Sequence, residues 1–121
     1  MDEDYIAIVK DGNGVGRLTF NHKKTSIVGT MGYLTLKKEN NLRYIYYSMS
    51  LLNLEKYIVG STIPHIYFKD YSKEMIYLPP LTEQNKVVDV LDSVNQKISN
   101  LKNEIRINEK FKYSLLNKMF C

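Results

Sequence analysis

From Leu81 to Phe120 the chain contains neither glycine nor proline, and no other feature narrows its possible folds as much. Within that run Val87, Leu91, Val94, Ile98, Leu101 and Ile105 recur at spacings of four, three, four, three and four. This is the heptad seam of a helix that pairs with another helix. Thr82 can cap its start and Glu83 lies in the first turn, where a negative charge favours the helix dipole. About 38 residues of helix would extend roughly 57 Å at the ~1.5 Å rise of an α-helix. The 80 residues ahead of it are too few to bury an arm of that length, so the helix is expected to pack on a second long helix. Asn108 and Lys112 interrupt the seam before it resumes at Leu115 and Met119. Either they set register and strand number, or they mark where the seam rotates onto Phe111.

Pro79-Pro80 closes the preceding part, because proline can neither extend a ladder nor enter a helix interior. Ahead of it, Tyr5 to Val9 is a short β-branched run ending in "KDGNGVGR", residues 10–17, whose Asp-Gly and Asn-Gly pairs are hairpin turn chemistry. Val15 to Phe20 reads as the return strand. After the basic loop "NHKK", strand character resumes at Ser26 to Val28 and Tyr33 to Leu36, which predicts a small β-meander. Leu42, Ile45, Met49 and Leu52 then recur at helical spacing. They predict a helix of about four turns, capped by Asn40 or Asn41 and ending before Gly60, a residue able to take the left-handed geometry common beyond a helix. Residues 61–80 read as a loop and a short strand from Met75 to Leu78. The expected fold is α+β, with a β-rich domain over 1–80 and a long helix over 81–121.

The three glycines of residues 10–17 invite a phosphate-binding reading, which the spacing excludes. A dinucleotide fingerprint needs Gly-x-Gly-x-x-Gly between a strand and a helix, whereas Gly12, Gly14 and Gly16 alternate and run into a strand. There is no Gly-Lys-Ser/Thr for a Walker loop, no Gly-x-Ser-x-Gly elbow and no His-Glu-x-x-His. Leu78-Pro-Pro-Leu81 lacks the polar and aromatic residues with which amino-methyltransferases grip a base in an Asn/Asp-Pro-Pro-aromatic motif. His65, between Pro64 and Ile66, reads as a loop or core histidine. With its carboxylates scattered, the chain is expected to be neither an enzyme nor the holder of a metal or cofactor. The glycines are read as supplying turn geometry and close backbone approach.

The single cysteine, Cys121, allows no internal disulfide. No run of ~18 apolar residues suggests a membrane span, and the acidic start Asp2-Glu3-Asp4 is unlike a basic secretory signal. A cytoplasmic location is expected. The net charge of +4 is compatible with nucleic acid without requiring it. Nine of the ten tyrosines precede residue 80, where strand and core positions or base stacking would each account for them.

The stretch "GSTIPHIYFKDYSKEMIYLPPLTEQNKVVDVLDSVNQKISNLKNEI" resembles the specificity subunits of type I restriction–modification systems. In those subunits a target recognition domain is followed by a spacer helix, and "DGNGVG" with "SIVGTMGYLTLK" is more loosely similar to the middle of such a domain. The resemblance implies double-stranded DNA and methyltransferase subunits as partners. It also implies antiparallel pairing of spacer helices, here through Val87, Leu91, Val94, Ile98, Leu101, Ile105 and Leu115. Candidates for the DNA side are Lys10, Asn13 and Arg17 of the hairpin and Ser61, Thr62 and His65 of the loop, with Lys23 and Lys24 for phosphates. Asn and Arg are the residue types suited to bidentate base contacts. Family subunits carry two recognition domains and two spacer helices, whereas this chain reads as one of each, with a shortened recognition domain and no tryptophan. Two readings follow: a half-subunit that homodimerises to read a split palindrome, or a fragment acting as a protein-interaction module without autonomous DNA recognition.

Overall fold

The computed structural model describes residues 2–120. Its elements, in chain order, are β1 (Tyr5–Val9), β2 (Leu18–Asn21), β3 (Met31–Leu34), α1 (Leu42–Ser50), a 3₁₀ turn (Leu54–Tyr57), α2 (Phe68–Tyr71) and α3 (Leu81–Phe120). This is an α+β chain with a long C-terminal helix. It divides into two compact units, Met1–Asn85 and Lys86–Cys121.

In the first unit β1 is the middle strand of a three-stranded antiparallel sheet of order β2-β1-β3. That order corrects the expected meander, in which the third strand would lie beside the second. The connection from β2 must instead cross to the far edge of β1, and residues 22–30 are spent on the crossing. Lys24 takes φ +68°, Thr25 Oγ1 donates to His22 O, and Met31 N donates to Val28 O at 3.0 Å. The extended stretch Ser26–Val28 therefore has no ladder partner and is not a strand. Pairing begins only at Met31, two residues before the expected start.

All five residues of β1 are buried, as its central position requires. Ile6 and Ile8 lie opposite Phe20, Leu34, Leu18 and Gly32 on one face. Ile8 there joins Leu54, Ile66 and Tyr71 in the main core, with Leu18, Leu34, Leu52 and Tyr57 packed around them. On the other face the Tyr5 hydroxyl meets Thr25 Oγ1 at 2.7 Å, which puts the crossing segment over that side of the sheet.

Helix α1 has nine residues, shorter than the four turns expected. Asn41 is its N-cap, with Oδ1 accepting from Arg43 N and Tyr44 N. At the other end Ser50 Oγ donates back to Tyr46 O, and the Leu51 N–H turns to Ser48 O and Met49 O. The last turn tightens, as side chains of this type promote, and Leu52 falls outside the helix. The expected strand from Met75 to Leu78 is also absent. That segment is tied down by Tyr44, whose hydroxyl donates to Tyr77 O at 2.7 Å. Helix α2, four residues long, is too short to show a period in the sequence.

Candidate nucleic-acid interface

The glycine hairpin joins β1 to β2. Gly16 N donates to Val9 O at 2.7 Å and Val9 N to Arg17 O at 3.0 Å, closing a loop in which Gly12, Gly14 and Gly16 have φ of +82°, +79° and +87°. Positive φ at three alternating positions explains the glycine pattern, because L side chains rarely adopt it. Close backbone approach, the other expected reason, does not hold: a Cβ on Gly12 would have no neighbour within 4 Å, and on Gly14 or Gly16 only a side-chain atom at 3.9–4.0 Å.

The loop carrying Ser61, Thr62 and His65 is a second turn, closed by paired hydrogen bonds between Val59 and His65 of 2.8 and 2.9 Å. Gly60 starts it at φ +98°, and a Cβ there would lie 2.5 Å from Ile63 O. Its left-handed geometry thus serves this turn; the extended Ile58, which ends the 3₁₀ turn, separates it from any helix end. The two turns are joined. Gly12 N donates to Pro64 O at 2.8 Å, Ile66 N donates to Lys10 O at 2.9 Å, and the Asp11 carboxylate meets His65 Nδ1 at 2.6 Å. His65 also stacks on Tyr67, with ring centroids 6.3 Å apart. Six of the eight candidates, Lys10, Asn13, Arg17, Ser61, Thr62 and His65, therefore share one end of the sheet. All except His65 are exposed.

Lys23 and Lys24 are not part of this group. They follow β2 at the opposite end of the sheet, where the Asp4 carboxylate accepts from Lys23 N at 2.8 Å and Asp2, Glu3, Asp4 and Lys23 line one hollow. Three carboxylates beside two lysines leave little net attraction for phosphate.

The start of α3 holds Gln84, part of the motif that carries the family resemblance but with no role assigned to it by the sequence. Leu81 opens the helix, with Pro80 O accepting from Glu83 N and Gln84 N, so Thr82 lies inside the first turn and does not cap it. Gln84 is 1% exposed. Its Oε1 accepts from Asn41 N at 2.9 Å, and its Nε2 donates to Asn40 Oδ1 at 3.0 Å and Pro79 O at 2.9 Å. Asn85 Oδ1 accepts from Asn41 Nδ2. The "LPPLTEQN" stretch thus folds its first helical turn onto the capping loop of α1, a specific arrangement that accounts for the proline pair, the glutamine and the two asparagines together. Consistent with it, the family model of the type I restriction modification DNA specificity domain matches residues 1–109. The chain belongs to that family. No curated protein matches it, and no solved structure does.

For a DNA specificity domain the pertinent chemistry is recognition. Among the described residues no group of three or more His, Cys, Asp or Glu side chains could hold a metal ion, and no helix is long and apolar enough to cross a membrane. Glu74, Lys56 and Tyr57 form one interacting titratable set. The Glu74 carboxylate pairs with the Lys56 ammonium and accepts from the Tyr57 hydroxyl at 2.6 Å. Lys56, then Tyr57, hold the Glu74 carboxyl below its ordinary range, and Glu74 raises both partners. This set fastens the 3₁₀ turn to the segment after α2. Along α3 the seam residues Val87, Val94, Ile98, Leu101, Ile105 and Leu115 are 40–57% exposed, and Leu91 is half-buried.

Proposed function

We propose that this specificity domain is a non-catalytic DNA-recognition half-subunit of a cytoplasmic type I restriction–modification system, with residues 1–80 reading DNA and residues 81–121 forming the spacer helix. The observation that carries the reading is the joining of the glycine hairpin to the 59–65 turn by Gly12, Asp11 and His65. It supports one recognition surface in which Asn13 and Arg17 contact base edges and Ser61 and Thr62 contact phosphate or sugar. His65 acts chiefly by holding the turn to Asp11. Pairing of α3 with a second copy in antiparallel fashion, through Val87, Leu91, Val94, Ile98, Leu101, Ile105 and Leu115, would cover the exposed seam and give a two-fold symmetric reader of a split palindrome. Methyltransferase subunits would dock on that helix pair.

Sedimentation of the purified chain at micromolar concentration tests the assembly. A dimer is expected, and Ile98→Glu with Ile105→Glu should give monomers; a monomeric parent chain would sink the homodimer. The exposed seam taken alone also fits a protein-interaction module that does not read DNA. Duplex binding titrated against salt separates the two readings, since phosphate contacts impose a steep salt dependence.

A further inference from the structure

A groove beside the joined turns has no role in the recognition surface described so far. It lies at the β3 edge of the sheet, has a volume of about 360 Å³, and is lined by Lys10, Tyr33, Thr35, Lys37 and Phe68 around a floor that includes Gly32. A Cβ on Gly32 would stand 3.4 Å from Ile8 Cγ2 and 4.0 Å from Lys10 Cδ. The missing side chain leaves room in which the Lys10 stem lies across the sheet, as long basic side chains do over apolar surface. Arg17 lines a different hollow, between the hairpin and residues 49–55. The hairpin's two basic residues therefore line different hollows.

Charge and chemistry identify an occupant. Among the described residues no carboxylate pairs with Lys10 or Lys37, whereas Lys56 is paired with Glu74 and the hollow that Lys23 lines also holds Asp2, Glu3 and Asp4. Two unpaired ammonium groups around one hollow repel each other and attract an anion. The remaining lining is mostly apolar and includes the exposed rings of Tyr33 and Phe68, 52% and 60% accessible, which would suit a sugar face better than a fully hydrated ion. The groove also continues the recognition surface, because Lys10 O receives the Ile66 N–H that joins the two turns.

Building on the DNA-recognition reading, we infer that this groove seats the sugar-phosphate backbone of the bound DNA, with Lys10 and Lys37 on successive phosphates and Tyr33 and Phe68 against deoxyribose. The lysine contacts to phosphate then come from Lys10 and Lys37 at the β3 edge, and Lys23 and Lys24 make none.

The test is anisotropy of a fluorescent random-sequence duplex with the full chain across a sodium chloride series. Each phosphate contact contributes about 0.9 to the slope of log affinity against log salt, so Lys10→Ala with Lys37→Ala should flatten that slope by about 2. Lys23→Ala with Lys24→Ala should leave it unchanged. Phe68→Ala, at an exposed position, should weaken binding several-fold at every salt concentration with the slope kept. Melting temperature and circular dichroism of each variant check the fold. A slope that survives loss of Lys10 and Lys37, or disappears on loss of Lys23 and Lys24, overturns the assignment while leaving DNA recognition standing. Absence of duplex binding by the unaltered chain at low salt removes both. If a poly-glutamate peptide binds through Lys10 and Lys37 while DNA does not, the groove belongs to an acidic protein partner and the inference is wrong.

Discussion

Individual residues shape the end of the sheet where the two turns join through backbone geometry more than through side-chain chemistry. Gly60 is the sharpest case, because φ +98° and an approach of 2.5 Å to Ile63 O both exclude a side chain. Gly60→Ala should therefore destabilise the domain by about 1–3 kcal/mol, read as a lower urea midpoint, and should weaken DNA binding as the turn opens. Gly12→Ala meets no atom within 4 Å and bears only the cost of its positive φ, on the order of 1 kcal/mol. The ordering of these two variants is thus itself a prediction. Glu74 provides a pH-dependent one. Lys56 and Tyr57 hold its folded pKa below the unfolded value, so its contribution is complete above the unfolded carboxyl range and fades as pH falls through the folded value. Lys56 is raised by Glu74, so its contribution is present below the unfolded lysine range and is lost as pH rises through the folded value. The stability difference between the parent chain and Glu74→Gln should accordingly be largest near neutral pH and shrink in acid. It should also shrink in molar salt, since exposed pairs are screened.

At the scale of elements, the determining contact is between the first turn of α3 and the cap of α1. Gln84 satisfies Asn41 N, Asn40 Oδ1 and Pro79 O from a fully buried position. Replacing it with leucine keeps the volume but leaves those groups without partners, at about 1–3 kcal/mol for each group left unsatisfied. Gln84→Leu should lower the denaturation midpoint markedly more than Gln96→Leu, whose parent amide lies exposed along α3 and bonds Asn100. Comparable midpoints for the two variants would show that the Gln84 contacts do not hold the junction. Ile8 at the centre of the sheet is the apolar counterpart; with Leu54, Ile66 and Tyr71 around it, Ile8→Ala should cost about 2–5 kcal/mol.

For the molecule as a whole, α3 is 40 residues long, about 60 Å at ~1.5 Å per residue. If a second copy covers its seam, folding and association are linked, and the melting temperature should rise with protein concentration. Ile98→Glu should abolish that dependence. The long helix was legible in the sequence because its signal is local and repeated: an uninterrupted run without glycine or proline, and an apolar period sustained over several turns. The hairpin was legible for a similar reason, since Asp-Gly and Asn-Gly constrain φ within a few residues. Sheet order was not, because nothing local to residues 22–34 says which edge of β1 the third strand will join. Met75–Leu78 has strand composition, but a strand needs a backbone partner, and in this segment Tyr77 O is taken by the hydroxyl of Tyr44, more than thirty positions earlier. Equally, Gln84 read as one polar residue in a helix until folding set it against Asn40 and Asn41, more than forty positions earlier. Elements whose causes lie within a turn or two of chain, together with the family motif they carry, follow from the residues alone. Strand order, the grouping of basic residues on one surface, and the lysines left without a counter-charge follow only from the folded chain. Those depend on pairing between segments distant in sequence, where competition for one buried strand and for a few buried hydrogen-bonding groups selects the outcome.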